Sequence, residues 1–161
     1  MNVKKKTTVE KISESERTAL YSISFEKDGT TEFEKFVEEF EQNAKYNRDY
    51  QRIIAALQVI LNLGALERFF RPEGKIKDSV AAIPIEGGKL RLYCLRISEQ
   101  IVILGNGGLK STRTYEEDSK LYGYVLDLQR FEKILNDNVA KGYVRIEERE
   151  LNGIEDVVFE I

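Results

Sequence analysis

Residues 89–115, KLRLYCLRISEQIVILGNGGLKSTRTY, decide how the chain is read. Leu90, Leu92 and Cys94 alternate with Arg91 and Tyr93, the period of a strand with one apolar face. Ile101 to Leu104 is a second apolar run, and Ser98-Glu99-Gln100 is the turn between the two. Val80 to Ile85 precedes both, with Glu86-Gly87-Gly88 as a hairpin turn. Three consecutive strands therefore read as an antiparallel meander. Gly107-Gly108 reads as a turn that delivers Lys110, Arg113 and Tyr115 together beside Arg91.

Helices and further strands flank this meander. Ala19 to Phe25 alternates, with Tyr21, Ile23 and Phe25 on one face, and reads as a first strand. Thr31 followed by Glu34 makes a capping box, and Phe33, Phe36, Val37 and Phe40 recur at helical spacing. Asn47 starts a second helix with Ile53, Ile54, Leu57, Ile60 and Leu61 on its apolar face, stopped by Gly64. Leu66 to Asp78 is loop-like and basic. A third helix starts near Asp118 or Ser119, buries Leu121, Val125, Leu128, Phe131, Ile134 and Leu135, and ends before Gly142. Tyr143 to Glu148 and Asp156 to Ile161 flank Asn152-Gly153 and read as a terminal hairpin.

The chain has 161 residues, 42% hydrophobic and 33% charged, which suits one α+β domain with a single core. Residues 1–17 are dense in Lys, Glu, Ser and Thr and read as a mobile arm, with the domain spanning residues 18–161. No apolar run approaches the roughly 20 residues that span a bilayer, and the basic start has no apolar stretch behind it to act as a secretory signal. A single cysteine, Cys94, permits no internal disulfide, in keeping with a reducing cytoplasm. Its apolar strand makes it a small hydrophobe and not a nucleophile.

There is no histidine. That removes Ser–His and Cys–His catalysis and the common zinc sites, and leaves Lys, Tyr, Asp or Glu for acid–base work. No phosphate-loop or dinucleotide-binding glycine pattern occurs, so no cofactor and no metal is expected. The net charge of −3 is uneven: residues 64–115 hold nine Lys/Arg against five acids. Such a patch can hold phosphate whatever the total charge.

Three segments carry a family resemblance: LNLGALERFFRPEGKIKD, KLRLYCL and IVILGNGGLKSTRTYEED. With the order strand, two helices, meander and basic turn, the chain resembles the RelE/HigB-type toxin superfamily of bacterial toxin–antitoxin systems (RelE/ParE-like, phage-derived branch). The resemblance implies a RelE-like α+β fold: a helical hairpin packed on a small antiparallel sheet, here with an extra C-terminal hairpin. It implies a metal-independent endoribonuclease that cleaves messenger RNA at the ribosome and inhibits growth until a cognate antitoxin protein binds it. Arg91 matches the family's strand arginine and would hold the scissile phosphate. Lys110 and Arg113 match its basic turn and would neutralise charge in the transition state. Tyr115 lies near a tyrosine that takes part in proton transfer in some members. Lys75, Lys77, Lys89 and Arg96 would contact RNA.

Two alternatives share this fold. One is a non-catalytic protein-interaction module, favoured by the acidic total and by the lack of basic residues in Ala81 to Ile85. The other is a gyrase-directed toxin, since a related branch poisons that enzyme and fold alone does not settle chemistry.

Overall fold

A computed structural model describes residues 4–73, 79–110 and 118–161. Lys75, Lys77, Arg113 and Tyr115 lie outside the described residues. The strands are β1 (Lys6–Glu14), β2 (Ala19–Phe25), β3 (Arg71–Pro72), β4 (Val80–Ile83), β5 (Leu90–Arg96), β6 (Ile101–Leu109), β7 (Arg145–Glu147), β8 (Glu150–Asn152) and β9 (Phe159–Glu160). The helices are α1 (Glu32–Phe40), α2 (Asn47–Leu63) and α3 (Ser119–Ala140). Seven strands form one sheet in the order β3-β4-β5-β6-β2-β1-β9, and β7 pairs with β8 in a separate hairpin. β2 runs parallel to β6, and the other pairs are antiparallel.

The sheet is buried on both faces. β2 and β4 are buried throughout, and so is β6 as far as Gly108. Such strands carry continuous apolar runs, because each face needs its own cover. On one face Leu20, Leu90, Leu92, Cys94, Val102 and Leu104 pack against Phe36 and Phe40 of α1 and Tyr50, Ile53, Leu57 and Ile60 of α2. Thr31 starts α1 by accepting the Glu34 amide hydrogen at 3.0 Å, as the capping box requires. On the other face Tyr21, Ile23, Tyr93, Leu95, Ile101 and Ile103 pack against Leu121, Val125, Leu128, Phe131 and Leu135 of α3. The Glu132 carboxylate of α3 accepts the Ser79 amide at 3.0 and 3.2 Å and so ties the helix to the start of β4. Each fully buried large side chain contributes about 1.5–3 kcal/mol.

This corrects the expected fold. The protein is α+β, but it is not a helical hairpin on a small antiparallel sheet: the sheet has seven strands, is mixed, and carries α3 across its second face. The difference begins at the N-terminus, where part of the expected arm, residues 6–14, is strand β1. It runs antiparallel along β2 from Thr7↔Phe25 to Glu14↔Ala19, with a bulge between Lys11 and Ser13. Only Thr7 of β1 is fully buried, so the strand is held mainly by its backbone ladder to β2. β9 then pairs with β1 through Lys6↔Glu160 and Thr7↔Phe159, and the Phe159 ring meets Phe131 at 4.5 Å. The terminal hairpin is also different: Arg145–Glu147 turns at Glu148-Arg149 onto Glu150–Asn152, with Glu148 left-handed at φ 53°.

The glycine pair is not a turn. β6 runs on through Gly107 and Gly108 to Leu109, with an irregularity opposite Leu92–Cys94. Gly107 is required there because a Cβ would stand 1.8 Å from the Arg91 carbonyl oxygen. Gly123, inside α3, is the opposite case, with nothing within 4 Å of the corresponding position. Gly107→Ala is therefore expected to cost about 3 kcal/mol or more. Gly123→Ala should gain about 0.8–1 kcal/mol from helix propensity. Urea unfolding of both variants checks the pair, and a tolerated Gly107→Ala would refute the β5–β6 register.

Candidate basic site at the end of β5 and β6

The antiparallel register places the candidate cations. Leu90 opposes Leu109 and Arg91 opposes Gly108, while the Lys110 amide donates to the Lys89 carbonyl at 2.8 Å. Lys89 and Lys110 thus sit directly across from each other, and Arg91 lies one diagonal step from Lys110. Such neighbours are within about 8 Å at Cβ, where like charges repel unless an anion joins them.

Arg91 is on the α3 side of the sheet, since Leu90 and Leu92 belong to the α1–α2 side. It is half-buried, and its Nη1 donates to the carbonyls of Gly88 at 2.9 Å and Leu90 at 3.0 Å. Those two bonds steady the planar head without neutralising it, and among the described residues no carboxylate pairs with Arg91, Lys89 or Lys110. The neighbouring turn is braced from α2, where Asp49 accepts the Lys89 amide at 3.2 Å and Arg52 donates to the Glu86 carbonyl. The start of α3 borders the site, because a Cβ on Gly108 would lie 3.2 Å from Leu121 Cδ2. Asp118 caps that helix by accepting the amides of Lys120 and Leu121, and its first turn holds no acid. The Asp118 carboxylate offsets the positive end of that helix dipole, so the field of the site is that of the cations.

The structure brings Arg91, Lys89 and Lys110 to one end of the sheet. It does not bring Arg96 there. Arg96 is at the other end of β5, about 17 Å along the strand. It lies on the other face, where Nε donates to the Ala65 carbonyl at 2.7 Å and Nη1 stands 3.8 Å from Glu67. Its work is to anchor the segment after α2. Cys94 is fully buried, and burial pushes its thiol well above the usual range, so it is no nucleophile. Among the described residues no group of three or more His, Cys, Asp or Glu could hold a metal, and no helix is long and apolar enough to cross a membrane.

A second charged cluster has only a weak signal in the linear sequence. α1 reaches α3 through polar side chains, with Lys35 bridging Glu32 and Asp28 at 2.6 Å each and Lys120 meeting Glu39 at 3.7 Å. Burial raises the Asp127 carboxyl, opposed by Lys5 at 3.5 Å. Burial, with help from Glu32 and Glu39, pushes the Tyr124 phenol up to about 12. Helical spacing of Glu32, Lys35 and Glu39 was the only available signal, and by itself it reads as a solvated face.

Compared with known proteins, the chain matches no family model, no curated protein and no solved structure. What can be said of its class comes from the fold and the site: an α+β protein with a two-sided mixed sheet and a cationic cluster at one end of it.

The Tyr124 phenol gives a test of how this part is packed. Tyr50, whose hydroxyl meets Glu41 at 3.2 Å, is likewise pushed up to about 12. A phenol whose folded pKa is raised stabilises the fold fully below pH 10, and that contribution is lost as pH rises from 10 through 12. In a tyrosinate absorbance titration, Tyr50→Phe and Tyr124→Phe should each remove a late-ionising component. Two phenols ionising near pH 10 in the folded protein would contradict the packing.

Proposed function

We propose that this protein is a metal-independent endoribonuclease directed at messenger RNA on the ribosome, the toxin of a toxin–antitoxin pair. The reading rests on the residues at the β5–β6 end and on the resemblance of those segments, not on the shape of the sheet. The observation that carries it is Arg91, held by two backbone carbonyls beside Lys89 and Lys110 with no carboxylate partner among the described residues. Three cations at one sheet end with no carboxylate partner among the described residues suit a phosphate, and a preset guanidinium binds a phosphodiester with little loss of freedom.

The chemistry is transesterification. The ribose 2′-oxygen attacks the adjacent phosphorus, the P–O5′ bond breaks, and a 2′,3′-cyclic phosphate and a free 5′-hydroxyl result. The proton lost from the 2′-hydroxyl goes to a base, and an acid supplies one to the leaving 5′-oxygen. Arg91 and Lys110 would neutralise the charge gathered on the non-bridging oxygens, with Arg113 joining them. Tyr115, or a lysine, would serve as the proton carrier in a site with no histidine.

Expression without a partner should arrest growth with loss of messenger RNA, and Arg91→Ala and Lys110→Ala should relieve the arrest. Each should lower the cleavage rate about a hundred- to thousandfold, or about 2.7–4 kcal/mol. Arg91→Lys should rescue poorly, because a single ammonium cannot reproduce the fork. Urea unfolding must show the variants folded, since the arginine stem also packs. Arrest with intact messenger RNA would refute the nuclease reading.

One observation favours a second reading, a protein-interaction module. Between β1 and α1 lies a concavity of about 470 Å³ lined by the apolar Ile12, Phe33 and Val37 and by three acids, Glu10, Glu34 and Glu38, against one cation, Lys11. Such an apolar and acidic lining suits a basic amphipathic segment of another protein. A folded wild-type protein that neither cleaves RNA nor arrests growth would make this the better reading.

A further inference from the structure

The parallel pairing of β2 with β6 puts the carboxyl ends of both strands at one end of the sheet. β5 enters that end with Lys89 and Arg91. β1, antiparallel to β2 with Thr7 opposite Phe25, enters it with Lys4, Lys5 and Lys6. Lys27 follows β2 at the same end. Here the surface is hollowed twice: one concavity of about 560 Å³ is lined by Lys4, Lys5, Lys6, Phe25, Glu26 and Lys27. A second, of about 300 Å³, shares Lys4 and adds Arg130 and Lys133 of α3, with Asp137 and Glu160.

Six cations thus face three carboxylates, Glu26, Asp137 and Glu160. Among the described residues only Lys5 of the six has an ion-pair partner, Asp127 at 3.5 Å. Lys5 also lies over the Phe25 ring at 4.6 Å, so it is held in place as part of the wall. The other five have no ion pair among the described residues, although Arg130 also acts on Asp127, and Lys27 on Asp28, at longer range. Phe25 and Ile161 are buried and Ile134 of the second hollow is half-buried, so little apolar surface is open to a lipid layer. A grooved, cationic surface of this kind fits the phosphate backbone of a single strand.

We infer that this surface is a second RNA-contacting site, which holds the strand beyond the scissile phosphate. The inference rests on the reading of Arg91 and Lys110 as phosphate contacts. The β5–β6 site and the β1 hollow are two to three strand spacings apart, about 10–14 Å, a span covered by a few nucleotides. Lys4, Lys6, Lys27, Arg130 and Lys133 bind the backbone without reading bases, so they set affinity and leave the chemical step alone.

The test uses a short labelled RNA, 2′-O-methylated so that cleavage is blocked, and anisotropy titrations over a range of salt. Lys4→Gln/Lys6→Gln/Lys27→Gln should bind about tenfold or more weakly, and the log–log salt slope should fall by about 2, at about 0.7 per lost contact. With cleavable RNA the triple variant should raise KM and leave kcat unchanged. Arg17→Gln/Lys141→Gln/Arg145→Gln, at the other end of the fold, makes the same change in charge and should have little effect. If Arg91→Ala weakens binding while the triple variant matches wild type, the second site is overturned and the Arg91 site stands. If the triple variant weakens binding while Arg91→Ala does not, the second site stands as an RNA surface and the Arg91 reading fails. Wild-type protein that ignores RNA but sediments with phosphatidylserine vesicles overturns both.

Discussion

The structure depends on four residue pairs. Ala19↔Ile101, Leu20↔Val102, Tyr21↔Ile103 and Ser22↔Leu104 join β2 to β6 in parallel, and among the described residues they are the only strand pairing between the N-terminal strands and the meander. The Ser22 hydroxyl reinforces the seam where the ladder ends. It donates to the Leu104 carbonyl at 2.8 Å and accepts the Phe33 amide at 3.1 Å. One buried hydroxyl therefore ties both strands to the start of α1. The chain leaves β2 for α1 on one face, and α3 lies on the other, so the seam also separates the two cores.

Much of the local structure is legible in the residues themselves. Phe33, Phe36 and Phe40 with the Thr31 cap specify α1, and Leu121, Val125 and Leu128 after Asp118 specify α3, because helical period and capping are local properties. The two-sided burial is not local. Arg91 and Tyr93 alternate with Leu90 and Leu92 as in a half-exposed strand, yet Tyr93 is fully buried beneath α3. A tyrosine is apolar enough for a core and polar enough for a surface, so its position could not be assigned before α3 was placed. β1 escaped notice for a related reason. A strand held mainly by its ladder to a neighbour needs few apolar side chains, and KTTVEKISE carries few.

The same limit applies to the site. Arg91 and Arg96 look alike in LRLYCLR, one at each end of an apolar stretch. Their five-residue separation, an odd number, puts them on opposite faces, and the strand's length puts them at opposite ends. Alternation could have given the first of these facts. What Arg96 does comes from neighbours remote in sequence, Ala65 and Glu67, whereas Arg91 is held by carbonyls of its own strand and the adjoining turn. The glycine pair shows the converse. Gly107 looks like punctuation, but its small size is needed inside a ladder, where it lets two backbones approach.

The two outermost strands, β3 and β9, are each only two residues long, and β3 ends in Pro72, which has no amide hydrogen to offer. A sheet this wide, with strands rich in Val, Ile and Leu, would otherwise present long unpaired borders on which further copies could stack into fibrils. Brief, irregular borders give an incoming chain too few hydrogen bonds to offset its loss of freedom. β9 covers only the first two residues of β1, so the border from Thr8 to Glu14 is guarded by its charged side chains and by the bulge between Lys11 and Ser13, and not by pairing.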